Sequence, residues 1–148
     1  MFILLVEDDP FYATMMLGLL HNNGYDNVKH LDNGMECLLQ IYEDTVPDLV
    51  IMDHQLGMVN GVEVLQKIRA YKPDLKVIFM SGQKDVKIAV QSIKQGAKDY
   101  ITKDEHAFDK LLVIIKEVES DMQAKSANKP VKKIISNVKK IPYRYGMK

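Results

Sequence analysis

The chain predicts an α/β domain built on an open parallel sheet with helices on both faces. Three observations predict it. Short β-rich apolar runs alternate with stretches of helical periodicity up to about residue 122. Three of those runs are apolar almost throughout, as strands covered on both faces must be. At 148 residues the chain has room for one domain of ordinary size plus an appendage. A core of roughly 120 residues buries about two thirds of its unfolded surface and stands alone. Such alternation implies right-handed βαβ crossovers.

Strands are predicted at Phe2–Val6, Asn27–Leu31, Leu49–Met52, Lys76–Met80 and Asp99–Ile101. The second is more mixed in polarity and suits a sheet edge. Helical segments lie between them. Pro10–Asn22 opens on a proline suited to a first helical turn and stops before Gly24. Gly34–Glu43 carries Met35, Leu38, Leu39 and Tyr42 at helical spacing, and Gly61–Ala70 carries Val64, Leu65 and Ile68. Lys84–Gln95 offers Ile88, Ala89 and Ile93 before Gly96. Glu105–Met122 carries Phe108, Leu111, Leu112, Ile115, Val118 and Met122. These stripes are expected to be core faces.

The single cysteine, Cys37, excludes an internal disulfide and fits a reducing compartment. It falls in an apolar-periodic stretch, which reads as a packed thiol rather than a nucleophile. The N-terminal apolar run lacks a basic flank and is cut short by Glu7, so it reads as a strand and not a signal peptide. No apolar run approaches the ~18 residues of a membrane span. A soluble, cytoplasmic protein is expected.

Charge is divided unevenly along the chain. Residues 121–148 hold eight Lys/Arg and one acid, Asp121, or +7. The totals of 20 basic and 20 acidic residues then leave 12 and 19 in residues 1–120, or −7. The expected organisation is a domain over 1–122 and a basic tail over 123–148. Ala124–Lys129 reads as polar and loop-like. Beyond Pro130, residues Val131, Ile134, Ile135, Val138 and Ile141 share one helical face among lysines. Besides the start of a linker in a longer protein, two readings stand for that segment. Either its apolar stripe packs on the body or on a second subunit, or it is a basic amphipathic element for an anionic membrane, a nucleic acid or a partner. It is too short for a helix-turn-helix domain.

In an open α/β sheet, function sits outside the carboxyl ends of the strands. There the chain collects a distinctive set. Glu7, Asp8 and Asp9 end the first strand, Asp53 ends the third, Ser81 follows the fourth and Lys103 the fifth. Carboxylates gathered at one edge raise each other's pKa unless something positive sits among them. A hard divalent cation with oxygen ligands meets that need. Carboxylates for a metal, an ammonium for phosphoryl oxygens and one carboxylate placed to attack phosphorus read as phosphoryl chemistry.

The stretches Ile3–Pro10, Pro47–Asp53, Gly61, Val77–Gly82 and Gly96–Lys103 together resemble the receiver domain of two-component response regulators, of the chemotaxis-regulator kind. The resemblance covers residues 1 to about 122. It implies a flavodoxin-like, doubly wound five-stranded parallel sheet of order 2-1-3-4-5. It also implies that Asp53 accepts a phosphoryl group from a histidine kinase or phosphotransfer protein. Glu7, Asp8, Asp53 and the backbone carbonyl of Gln55 would hold Mg²⁺. Ser81 and Tyr100 would be the switch that turns toward a downstream protein target, and Lys103 the cation on the phosphoryl group. Such a domain catalyses only its own phosphorylation and dephosphorylation. Self-association, and membership of a longer regulator, are compatible with it. A phosphohydrolase with an aspartate nucleophile is the competing reading, but that type needs an acid where Gln55 stands.

Four positions call for separate comment. Gly57 stands where the family pattern has a proline, which implies a freer loop. Asp104 replaces the proline that follows the lysine in a cis peptide, so the Lys103–Asp104 bond is either trans or strained. Asp104 is also a candidate helix N-cap, as is Asp9 for the helix starting at Pro10. His54, beside Asp53, reads as a packed or solvated histidine in preference to an acid–base group.

Overall fold

Along the first strand, odd and even residues feed two different cores. The computed structural model describes residues 1–43 and 45–128. Within them lie β1 (Ile3–Val6), α1 (Pro10–Asn22), β2 (Val28–Leu31), α2 (Gly34–Glu43), β3 (Leu49–Asp53), β4 (Gln55–Leu56) and β5 (Val59–Asn60). They are followed by α3 (Gly61–Tyr71), β6 (Lys76–Ser81), α4 (Val86–Lys94), β7 (Asp99–Thr102) and α5 (Ala107–Ala127). Ile3 and Leu5 pack with Met16 and Leu20 of α1 and Leu111 and Ile115 of α5. Leu4 and Val6 pack on the other side with Leu38 and Ile41 of α2 and Val64 and Leu65 of α3. The next strand repeats the split, with Leu49 and Ile51 in the first core and Val50 and Met52 in the second. This is the period of two that a strand imposes. Each such aliphatic side chain contributes roughly 1.5–3 kcal/mol by burial, so the sheet is stabilised from both faces.

The main sheet is wholly parallel and runs β2-β1-β3-β6-β7. Counting only its own strands, that is the expected order 2-1-3-4-5, with helices on both faces. The flavodoxin-like expectation holds. Val28–Leu31 is the edge strand its mixed composition suggested. Asp9 caps α1, its carboxylate accepting from the N–H groups of Phe11 (2.9 Å) and Tyr12 (3.3 Å). Asn60 and Asp85 cap α3 and α4 in the same way. Caps of this type are worth ~1 kcal/mol each.

The structure departs from the expectations in several places. The segment after β3 is a small antiparallel hairpin, β4 paired with β5, in place of a free loop. Gly57 adopts φ +63 there, at the first central position of a two-residue turn, where glycine is favoured and proline is excluded. In α2 the buried arc is Cys37, Leu38 and Ile41, whereas Met35, Leu39 and Tyr42 are exposed. The helix is apolar on two arcs, and only one meets the sheet. Ile93 of α4 is likewise exposed, and Ser92 is the buried residue, its hydroxyl donating to the Ile88 carbonyl at 2.8 Å. Helix α5 runs on to Ala127, so residues 124–127 are helical and not loop. The amphipathic segment read at 131–141 lies outside the described residues. No cis peptide occurs among the described residues, so Lys103–Asp104 is trans.

Candidate functional site

The convergence of the acidic residues follows from strand register. Val6 of β1 lies opposite Met52 of β3, so the next residues, Glu7 and Asp53, stand side by side at the carboxyl ends of the two strands. Both continue the odd register that faces α1 and α5. Lys103 follows Ile101, which belongs to that same core, and its N–H donates to the Ser81 carbonyl at 2.7 Å. Carboxylate oxygens of Glu7, Asp8 and Asp53 all lie within 4.8 Å of one another. The Lys103 ammonium donates to Glu7 Oε2 at 2.7 Å and to Asp53 Oδ2 at 2.8 Å.

The remaining carboxylate oxygens of the buried pair are also engaged. Glu7 Oε1 accepts from the Asp9 N–H at 3.1 Å, and Asp53 Oδ1 from the Gln55 N–H at 2.9 Å. Glu7 is only 2% exposed. Burial, with the nearby charge of Asp53, pushes its pKa up, and the bonds from Lys103 and Asp9 recover only part of that. Burial would lower the Lys103 ammonium, but its bonds to Asp53 and Glu7 prevail and hold it above the ordinary lysine value. Asp8 stays exposed. Three carboxylates and one ammonium make a formal charge of −2, the count that one divalent cation neutralises.

Tyr12 completes this side of the site. Its ring lies under the Lys103 ammonium, Nζ to centroid 4.2 Å, and packs at 5.9 Å against Phe108. Side chains on a helix lean toward its N-terminus, so an aromatic in the first turn of α1 overhangs the end of β1. That lean is the sequence signal that places Tyr12 at the site.

A second set of residues lies toward the α2–α3 core. His54 is 6% exposed and meets Phe79 edge-on at 5.9 Å and Tyr100 at 6.2 Å. It is the packed histidine expected, and burial lowers its pKa against the pull of Asp53. Ser81 is 2% exposed, and its Oγ accepts from the Gln83 N–H at 3.2 Å. The Tyr100 hydroxyl donates to the Gln83 carbonyl at 3.4 Å. Asp104 caps the turn before α5 by accepting from the His106 N–H at 2.9 Å, while His106 holds the helix's own N-cap position. Sequence reasoning thus named Glu7, Asp8, Asp53 and Lys103, which the fold brings into one cluster. It also named Ser81 and Tyr100, which the fold places on the other side of the strand ends. An open cleft of about 640 Å³ reaches Asp53 between Asp8, Gln55 and Met58.

A response regulator receiver domain model matches residues 3–116. The chain belongs to the response regulator receiver family. It is 34% identical over 101 residues to the chemotaxis protein CheY of Listeria monocytogenes, covering 68% of this chain and 84% of that protein. It is 36% identical over 115 residues to the transcriptional regulatory protein ZraR of Klebsiella oxytoca, covering 78% of this chain but 25% of ZraR. The chain therefore spans about a quarter of that larger relative. A receiver domain protein (CheY-like) from Methanospirillum hungatei shares the fold with TM-score 0.72 at 27% identity, over 82% of this chain and 96% of that one. Among the described residues no helix is long and apolar enough to cross a membrane.

Proposed function

We propose that this receiver domain is a phosphorylation switch that accepts a phosphoryl group on Asp53 and turns over no external substrate. The observation that carries the reading is the position of the Asp53 carboxylate, at the mouth of an open cleft, 2.8 Å from an ammonium and in one cluster with Glu7 and Asp8. The donor is a phosphohistidine on a sensor kinase or phosphotransfer protein. The P–N bond to the imidazole breaks as the Asp53 oxygen–phosphorus bond forms, and the product is an acyl phosphate.

An anion attacking an anion must be screened. Lys103 supplies one positive charge already in place, preorganised by Glu7. The all-oxygen donor set of Glu7, Asp8 and Asp53 fits a hard cation, with the Gln55 carbonyl as a further ligand, and bound Mg²⁺ would supply Lewis-acid neutralisation of phosphoryl oxygens. The new group adds about −1.5 to −2 charges. Ser81 is drawn to it, and Tyr100 responds on the far side, which presents an altered face to a downstream target protein.

The test is incubation with Mg²⁺ and a small acyl-phosphate donor, followed by intact-mass measurement. One phosphoryl adduct is expected on the wild type and none on Asp53→Asn. A full-level adduct on that variant would place the phosphosite elsewhere. Sustained phosphate release from varied monoesters would favour the aspartate-nucleophile hydrolase.

A further inference from the structure

The Lys103 ammonium is held by more than its two carboxylates. An ammonium has three protons and no acceptor, and two are committed to Glu7 Oε2 and Asp53 Oδ2. The face of Tyr12 covers another side at 4.2 Å, where the negative face of an aromatic ring attracts a cation. The ring is itself anchored. The Tyr12 N–H donates to Asp9 Oδ1 at 3.3 Å, and the Asp9 N–H donates to Glu7 Oε1 at 3.1 Å. Phe108 packs at 5.9 Å against the ring. The contacts form a closed circuit from Glu7 through Asp9 and Tyr12 to Lys103 and back to Glu7.

Such a circuit matters because a lysine tip is poorly fixed by its own backbone. The stem has four flexible carbons, and the chain turns away at Asp104, immediately after Lys103. The ammonium must therefore be placed by what surrounds it. Two carboxylates alone pull it toward their bisector but leave it free to swing about that line. A ring against the ammonium restricts that swing.

The geometry points to Tyr12 as a positioning residue for phosphoryl transfer, its ring keeping the Lys103 ammonium against Asp53 where charge develops. The inference rests on Asp53 being the phosphoacceptor. The contact uses the face of the ring and not the hydroxyl, so phenylalanine should serve in its place and an aliphatic side chain should not.

The experiment follows adduct formation over time in the full chain, with Mg²⁺ and phosphoramidate, for the wild type, Tyr12→Phe, Tyr12→Leu, Lys103→Met and Tyr12→Leu/Lys103→Met. Tyr12→Leu is expected to slow the reaction roughly 5–30-fold, the span of a partly desolvated cation–π contact. Tyr12→Phe restores the rate to within about twofold. The double variant is no slower than Lys103→Met, because the ring acts only through the lysine. NMR supplies a readout independent of phosphorylation. The ε-methylene of Lys103 should be shifted upfield by the ring in the wild type and Tyr12→Phe, and should lose that shift in Tyr12→Leu. If thermal melting shows Tyr12→Leu to be misfolded, Tyr12→Met, which keeps bulk without a ring, is read instead. A wild type that takes no adduct overturns the phosphoacceptor reading, and this inference with it. A wild type that takes the adduct while Tyr12→Leu takes it equally fast overturns the role of Tyr12 alone. Equal slowing by Phe and Leu, or additional slowing on the Lys103→Met background, does the same.

Discussion

Ser81 and Tyr100 are both tied to the backbone of one residue, Gln83. The Gln83 N–H donates to Ser81 Oγ at 3.2 Å, and the Gln83 carbonyl accepts from the Tyr100 hydroxyl at 3.4 Å. If the serine hydroxyl turns toward a phosphoryl group on Asp53, it must release that N–H, and the residue holding Tyr100 loses an anchor. Coupling then needs only one hydrogen bond to break, a change of about 0.5–1.5 kcal/mol. Ser81→Ala is therefore expected to accept the phosphoryl group yet fail to transmit it. NMR signals of the Tyr100 ring should move on phosphorylation of the wild type and stay near their resting positions in the variant. A full Tyr100 response in Ser81→Ala would show that the Gln83 link is not the route.

Much of this arrangement was legible from the residues alone, and what was missed has physical causes. β1, β3 and β6 stood out because strands buried on both faces must be apolar throughout. That same uniformity hides which residue faces which side, so the division between Glu7, Asp53 and Lys103 on one side and Ser81, His54 and Tyr100 on the other could not be read. In α2, apolar residues occupy two arcs, and only the docked structure selects Cys37, Leu38 and Ile41 over Met35, Leu39 and Tyr42. Two-residue strands such as Gln55–Leu56 and Val59–Asn60 are shorter than any periodicity. The last turns of α5 bury little, so no stripe announced them.

Gly61 has no room for a side chain. A Cβ built there would lie 2.8 Å from a Phe79 ring carbon, 3.0 Å from the Asp53 carbonyl and 3.1 Å from the His54 carbonyl. Two of those neighbours are backbone of the segment that aims Asp53, and they cannot rotate away. Gly61→Ala is expected to cost about 1–3 kcal/mol, the range for overpacking, and to slow phosphorylation as the Asp53 peptide shifts. Paired urea melts and adduct time courses check both. A variant as stable and as fast as the wild type would show that Phe79 yields without strain.

Cys37 offers a probe of the α2–α3 core. It is fully buried, and burial pushes its thiol up to about 12. Since the thiolate is the reactive form, the native chain should label with maleimide only through unfolding, and slowly even at pH 9, where an unshielded thiol near pKa 8.5 reacts readily. Denaturant should expose one equivalent. Rapid stoichiometric labelling of the native chain would contradict the burial of α2 against the sheet.

The formal charge of −2 at the cluster makes a signed prediction about magnesium. With the carboxylates of Glu7, Asp8 and Asp53 crowded and, among the described residues, Lys103 as the one cation bonded to them, like charges oppose folding, and a cation bound to the folded state relieves them. At tenfold over its dissociation constant, Mg²⁺ should add about 1.4 kcal/mol, a rise of roughly 3–7 °C in melting temperature for a domain of this size. Asp8 is exposed, so Asp8→Asn removes one of the repelling charges with little loss of packing. That variant should melt at or above the wild type in EDTA and gain little from Mg²⁺. Lower stability than the wild type in EDTA, together with an undiminished magnesium response, would mean that Asp8 neither repels its neighbours nor serves the ion.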